Sequence, residues 1–177
     1  MTEFGREYGE GLYALCAEEQ IEAPVLQQLQ TLKAVFRENA DFVKLLANMS
    51  MSKKERVAIV DQTLKGQIHE YVLNFLKLLV ERGGMPEFSE CVAAYQENYN
   101  RDHGVAVAEV TTARPLSEKQ RADLLNKLSA MTGKEIVIKE KVDPALLGGV
   151  LLQLDGRRYD NTLLGRLNTM KQSISKD

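Results

Sequence analysis

At 177 residues the chain is long enough for one ordinary domain or two small ones, and its 44% apolar and 27% charged residues exclude a disordered polyelectrolyte. No stretch reaches the ~18 uninterrupted apolar residues of a membrane span; the densest run, Tyr71 to Val80, is broken by Asn74 and Lys77. The net charge of −2 divides unevenly, with 11 Lys+Arg against 16 Asp+Glu in residues 1–104 (−5) and 12 against 9 in residues 105–177 (+3), so neither half carries the strong basic excess of a nucleic-acid binder.

That asymmetry implies two domains that meet different partners. The opening Met1-Thr2-Glu3-Phe4 has neither a basic n-region nor an apolar h-region, and it is acidic. The expectation is a bacterial cytoplasmic location without an export or transit signal. Two cysteines, Cys16 and Cys91, lie far apart within helical patterns, where reduced, packed thiols are expected.

Residues 4–103 read as six helices. Phe4, Tyr8, Leu12 and Leu15 recur at helical spacing in the first, and Leu26, Leu29, Leu32 and Phe36 follow Pro24 in the second. Phe42, Leu45, Leu46 and Met49 mark a short third helix with Asp41 as its cap. Ser52-Lys53-Lys54-Glu55 is a capping box that opens a fourth, which buries Val57, Val60 and Leu64 and stops at Gly66. The fifth runs from about Ile68 to Arg82 before Gly83-Gly84. The sixth starts at Pro86, carries Phe88, Val92, Tyr95 and Tyr99, and ends at His103-Gly104.

The period changes at residue 105. Val105 to Thr112 is rich in β-branched residues and reads as a strand; Ser117 with Gln120 then caps a helix through Leu125, Leu128 and Met131 to Gly133. Lys134 to Lys141 alternates as a second strand around Ile136 and Ile138. Gly149 to Leu154 is a third, and Asp155-Gly156 signals a hairpin returning through Arg157 to Tyr159. A last helix is expected to bury Leu163, Leu167, Met170 and Ile174. The fold class is therefore α+β: a six-helix bundle over residues 1–104 and a small α/β domain of order β-α-β-β-β-α over 105–177.

Signals for chemistry are sparse. His69 and His103 are isolated, the cysteines are distant from them, and no metal-ligand spacing or phosphate-binding glycine motif occurs. Gly148-Gly149 precedes a strand rather than a helix, which reads as a tight turn. The expectation is no catalytic residue, no metal and no cofactor. One pattern asks for more than a core. On the fifth helix Val72, Leu76, Leu79 and Val80 form one apolar stripe at 100° per residue, while Leu78 falls about 120° from Val72, beside Tyr71 and Phe75. Such a helix is either central in its bundle or offers its second face to a partner. Gly9 and Gly11 each weaken the first helix by ~1 kcal/mol relative to Ala, and they either admit a close helix or are merely tolerated.

Ile136-x-Ile138, Val142-Asp143-Pro144-x-Leu146-x-Gly148-Gly149-Val150-x-Leu152-Gln153 and Asp160-x-Thr162-x-x-Gly165-Arg166-Leu167 together resemble the signature of the F-type ATP synthase delta subunit, the bacterial relative of the mitochondrial oligomycin-sensitivity-conferring protein. Tyr8-Gly9-Glu10-Gly11-Leu12-Tyr13 is similar to the family's first helix, with glycines where alanines are usual, and Asn74-Phe75-Leu76-Lys77-Leu78-Leu79 to its fifth. The resemblance implies a non-catalytic peripheral-stalk (stator) subunit of a proton-translocating ATP synthase. It would act in ATP synthesis and hydrogen ion transport as a peripheral protein on the cytoplasmic face of the bacterial inner membrane. Residues 1–104 would hold the N-terminal helix of an alpha subunit of the catalytic head, and residues 105–177 the C-terminal stalk of the b subunits. The same resemblance assigns the second apolar face to that helix groove, with Tyr8, Gly11, Leu15, Phe75 and Leu78 lining it. Asp143, Gly148, Gly149, Asp160, Gly165 and Arg166 belong to the family signature. A small nucleic-acid-binding or other adaptor protein is the alternative, supported only by the +3 tail with Arg157-Arg158.

Overall fold

A computed structural model describes residues 2–146, 148–154 and 156–162. The chain divides into two units, Met1–Asn100 and Arg101–Asp177. The division falls inside the last turn of the sixth helix rather than at the change of period after Gly104.

The first unit contains α1 (Glu3–Glu18), α2 (Glu22–Glu38), α3 (Ala40–Leu46), α4 (Lys53–Leu64) and α5 (Glu70–Arg82), with most of α6 (Phe88–Asp102). Local chemistry sets several of the helix ends. Thr2 caps α1 by accepting from the Gly5 amide, and Ser52 with Glu55 forms the expected capping box of α4. The imidazole of His69 caps α5, accepting from the Tyr71 amide at 3.2 Å. Gly83, at φ +75°, ends α5 in the left-handed conformation that glycine adopts without strain. Pro86 lies in a 3-10 turn, Met85–Glu87, and α6 proper begins at Phe88.

The core of this unit is built from the expected stripes: Leu26, Leu29, Leu32 and Phe36 of α2, Val72, Leu76, Leu79 and Val80 of α5, and Phe88, Val92 and Tyr95 of α6 are all buried. Asp41 lies inside α3, whose N-cap position is Asn39, so the expected cap is corrected, and periodicity misplaces two apolar side chains. Leu15 shares the sequence stripe of Phe4, Tyr8 and Leu12 but is 56% exposed, because α1 turns Gly5, Gly9, Leu12, Tyr13 and Cys16 inward instead. Met49 lies beyond the end of α3 and is 81% exposed. Arg56, charged and unremarkable in sequence, is buried, with its Nη1 donating to the Leu46 carbonyl at 3.0 Å. It satisfies a backbone acceptor where the α3 dipole is negative.

Helices α1 and α6 run parallel in contact. Tyr13 meets Tyr95 edge-on at 5.3 Å, and a methyl placed on Gly5 would come within 2.7 Å of the Glu90 Cβ. A methyl on Gly9 would strike the Cys91 carbonyl and lie 2.7 Å from the Ala94 Cβ. Gly9 therefore serves close approach within the bundle. Cys16 and Cys91 are free and buried. Burial raises both thiol pKa values, that of Cys91 to about 11.

The second unit carries β1 (Val105–Thr112), α7 (Glu118–Thr132), β2 (Glu135–Val142), β3 (Gly149–Leu154) and β4 (Arg157–Thr162) in a sheet of order β2-β1-β3-β4. Strands β1 and β2 are parallel, with Val105 opposite Glu135 and Thr112 opposite Val142. The β1/β3 and β3/β4 pairs are antiparallel. Parallel neighbours need a crossover, which α7 provides after its Ser117–Gln120 capping box. One sheet face supplies Ala106, Ala108, Val110, Ile136, Ile138 and Leu154 to a core closed by Leu128. The expected α7 stripe is narrower than read: Leu124 and Leu128 pack inward, whereas Leu125 and Met131 are exposed, Met131 at 71%. The expected last helix at Leu163, Leu167, Met170 and Ile174 lies outside the described residues.

Candidate functional site

The site begins with α5. Its apolar residues outnumber what one helix face can hold, so after Val72, Leu76, Leu79 and Val80 have filled the core, Phe75 and Leu78 are left toward α1. On the α1 side, the close approach to α6 at Gly5 and Gly9 fixes the rotation of the helix. Tyr8, Gly11 and Leu15 then fall on the side turned to α5.

These five residues line one groove of about 540 Å³ between α1 and α5, together with Glu7, Leu12, Tyr71 and Asn74. Phe75 and Leu12 are buried and form its floor. Leu78, at 38%, and Leu15, at 56%, keep much of their surface open. Gly11 has no atom within 4 Å of where a Cβ would stand, in contrast to Gly9, so here the helix backbone itself is open to a visitor. Tyr8 is steadied by a stacked ring contact with Phe4, centroids 4.1 Å apart. Glu7 is the lining's one carboxylate, and Asn74 adds an amide. Such a surface can bury apolar side chains of a helix, with the exposed Glu7 and Asn74 beside its polar edge.

The set of five expected from the resemblance leaves out Glu7, Leu12, Tyr71 and Asn74, although Tyr71 already stood beside Leu78 on the second apolar face of α5. The signal for Asn74 was present as an exposed polar break in an apolar run; Glu7 had none, since acids are common on α1.

Three of the signature residues of the second unit, Asp143, Gly148 and Gly149, flank the turn that leads into β3. The Asp143 amide donates to the Thr112 carbonyl at 2.8 Å, and its carboxylate accepts from the Ala145 amide at 3.0 Å, opening the 3-10 turn Pro144–Leu146. Gly148 and Gly149 follow at φ +148° and +87°, which other residues rarely adopt, and they lead the chain into β3. Asp160 stands on β4 opposite Leu151, with Arg158 3.8 Å away. Gly165 and Arg166 lie outside the described residues. Among the described residues no group of three His, Cys, Asp or Glu side chains is placed to hold a metal, and no helix is long and apolar enough to cross a membrane.

A helical bundle with an open apolar groove, followed by a small mixed sheet, is the anatomy of a protein-binding subunit. The comparisons with known proteins give that class its family. The family described as ATP synthase delta (OSCP) subunit matches residues 5–174. A protein from Lachnoclostridium phytofermentans called ATP synthase subunit delta is 30% identical over 96% of this chain and 93% of its own length. Its namesake from Crocosphaera subtropica is 27% identical over 98% of this chain and 95% of its own. A chain in the mitochondrial ATP synthase hexamer of Toxoplasma gondii shares the fold, with a TM-score of 0.74 at 18% identity over 98% of both chains. The chain belongs to the ATP synthase delta (OSCP) subunit family.

Proposed function

We propose that this chain is the peripheral-stalk (stator) subunit of a proton-translocating F-type ATP synthase, linking the catalytic head to the membrane-anchored b subunits and resisting rotor torque. Its partners are other subunits of that complex, and it works as a structural element rather than as an enzyme. The bundle takes the N-terminal helix of an alpha subunit into the α1/α5 groove, and the sheet unit holds the C-terminal stalk of the b subunits. It is held at the cytoplasmic face of the bacterial inner membrane through the complex.

The observation that carries this reading is the pair Leu15 and Leu78, two leucines left open over a floor of Leu12 and Phe75 in one groove. Covering one exposed leucine contributes part of the ~1.5–3 kcal/mol of a fully buried one, so two of them with Tyr8 supply a useful hot spot. Torque acts continuously on such a joint, which makes a slow off-rate the property that matters. The test is a titration of the labelled full chain with a peptide of the cognate alpha-subunit N-terminus, followed by amide chemical shifts. Shifts centred on Tyr8, Gly11, Leu15, Phe75 and Leu78 are expected. Tight binding whose shifts lie on another face would overturn the groove, and absence of binding would overturn the assignment of this partner.

A further inference from the structure

We propose that the bundle carries a second docking groove, at the junction of α2, α3 and the turn into α6, and that its occupant is a protein helix with an acidic polar edge. This groove encloses about 510 Å³, close to the volume of the first. Its floor is Phe36, Met85 and Phe88, side chains of the core itself. The Phe36 ring lies 5.1 Å from that of Phe88 and 5.9 Å from that of Phe42, so the floor is held from both sides. Ala34 and Ala40 line the walls and present no more than a methyl group each. A helix can therefore approach the floor closely.

The charged side chains that line this groove are of one sign. Lys33, Arg37 and Lys44 line it, and no carboxylate does. Glu38 follows Arg37 at the end of α2 and is exposed, and two further acids nearby are engaged elsewhere. Glu87 and Glu90, in the turn that leads into and opens α6, both accept hydrogen bonds from Thr2 at the start of α1. Asp41 pairs with Lys44 at 2.9 Å, but both side chains are largely exposed, and such a water-screened pair exchanges readily for another. Lys33 and Arg37 stand one helical turn apart on α2, matching carboxylates spaced i, i+4 on an incoming helix. Three cations over an apolar floor suit an amphipathic acidic helix better than a nucleic acid, which would ask for a broader basic surface.

The α1/α5 groove has the opposite character, with Glu7 as its lining's only formal charge. Two grooves of similar size and opposite sign can sort two helices by charge, each repelling the other's partner. This inference does not depend on which helix fills the first groove.

The test uses the full-length, isotope-labelled protein and two synthetic 18-residue amphipathic helices with the same leucine stripe, one with Glu and one with Lys on the polar face. The Glu peptide is expected to shift the amides around Lys33, Arg37, Val43 and Ser89. Its affinity should fall at least tenfold in the variant Lys33→Glu/Arg37→Glu, and it should weaken with added salt. Both replaced side chains are exposed, so an unchanged melting curve confirms that the variant is folded. Equal binding of the two peptides, Glu-peptide shifts centred on Tyr8 and Leu78, or unchanged affinity in the double variant would each overturn the proposal. So would tighter binding of a single-stranded oligonucleotide at Lys33 and Arg37 than of the Glu peptide.

Discussion

Leu78 and Leu76 lie two residues apart on α5 and should respond in opposite ways to the same substitution. Leu76 is 1% exposed in the core, whereas Leu78 is 38% exposed on the groove wall. Full burial of a leucine contributes ~1.5–3 kcal/mol, so covering the open part of Leu78 is worth ~0.6–1.1 kcal/mol. A glutamate there loses that term and also leaves a polar group facing an apolar helix without a partner, a further ~1–3 kcal/mol. Leu78→Glu should therefore weaken binding of the alpha-subunit peptide by ~2–4 kcal/mol, or about 30- to 1000-fold. The free protein should melt within a few degrees of wild type, because the new carboxylate reaches water and Glu is a good helix former. Leu76→Glu should unfold the bundle: removing such a side chain alone costs ~2–5 kcal/mol, and an unpaired core charge adds to that against a total stability of only ~5–15 kcal/mol. Calorimetric titration and thermal melting of both variants decide the matter. If Leu78→Glu melts as early as Leu76→Glu, or binds the peptide with wild-type affinity, the groove reasoning is wrong.

The two glycines of α1 should also part company. Gly9→Ala is expected to destabilise by ~1–3 kcal/mol, since its methyl would meet Cys91 and Ala94, while Gly11→Ala should stabilise by up to ~1 kcal/mol as the added methyl enters open space; equal shifts in melting temperature would refute the contrast. Both thiols should resist Ellman's reagent at pH 8 in the native protein and react at once in denaturant, because they are buried and Cys91 is raised to about 11. The Glu55 carboxyl is held below its ordinary value of 4.5 by the Ser52 amide and then by its hydroxyl. Its contribution is therefore complete above the unfolded pKa and lost as pH falls through the depressed folded one. The melting-temperature gap between wild type and Glu55→Gln should accordingly be widest near neutrality and narrow in acid; a gap that widens in acid would contradict this.

Much of this protein is local in origin and was legible from the chain. Capping boxes at Ser52 and Ser117 form between groups three residues apart, so no distant contact is needed to set them. The change from helical to alternating period at residue 105, the strand from Gly149 to Leu154 and the buried stripes of α2 and α5 follow from side-chain direction along a regular backbone. The resemblance also named Tyr8, Gly11, Leu15, Phe75 and Leu78 as one set, and they line a single groove.

What periodicity leaves open is which of several equivalent faces meets a neighbour. Gly9 and Gly11 read alike in sequence, but 200° of helix separates them, so only the packing of α1 on α6 makes one a contact and the other an opening. Leu15 and Met131 fit their helices' apolar patterns and are nevertheless exposed, while the charged Arg56 is buried because the end of α3 stands where its guanidinium reaches. The basic groove is the furthest case. Lys33, Arg37, Lys44, Met85 and Phe88 are ordinary residues spread over three segments, and their shared chemistry exists only where α2, α3 and α6 converge. A sequence specifies each helix through contacts within a turn or two. A groove is the space left between helices, and tertiary packing alone decides its shape and the sign of its charge.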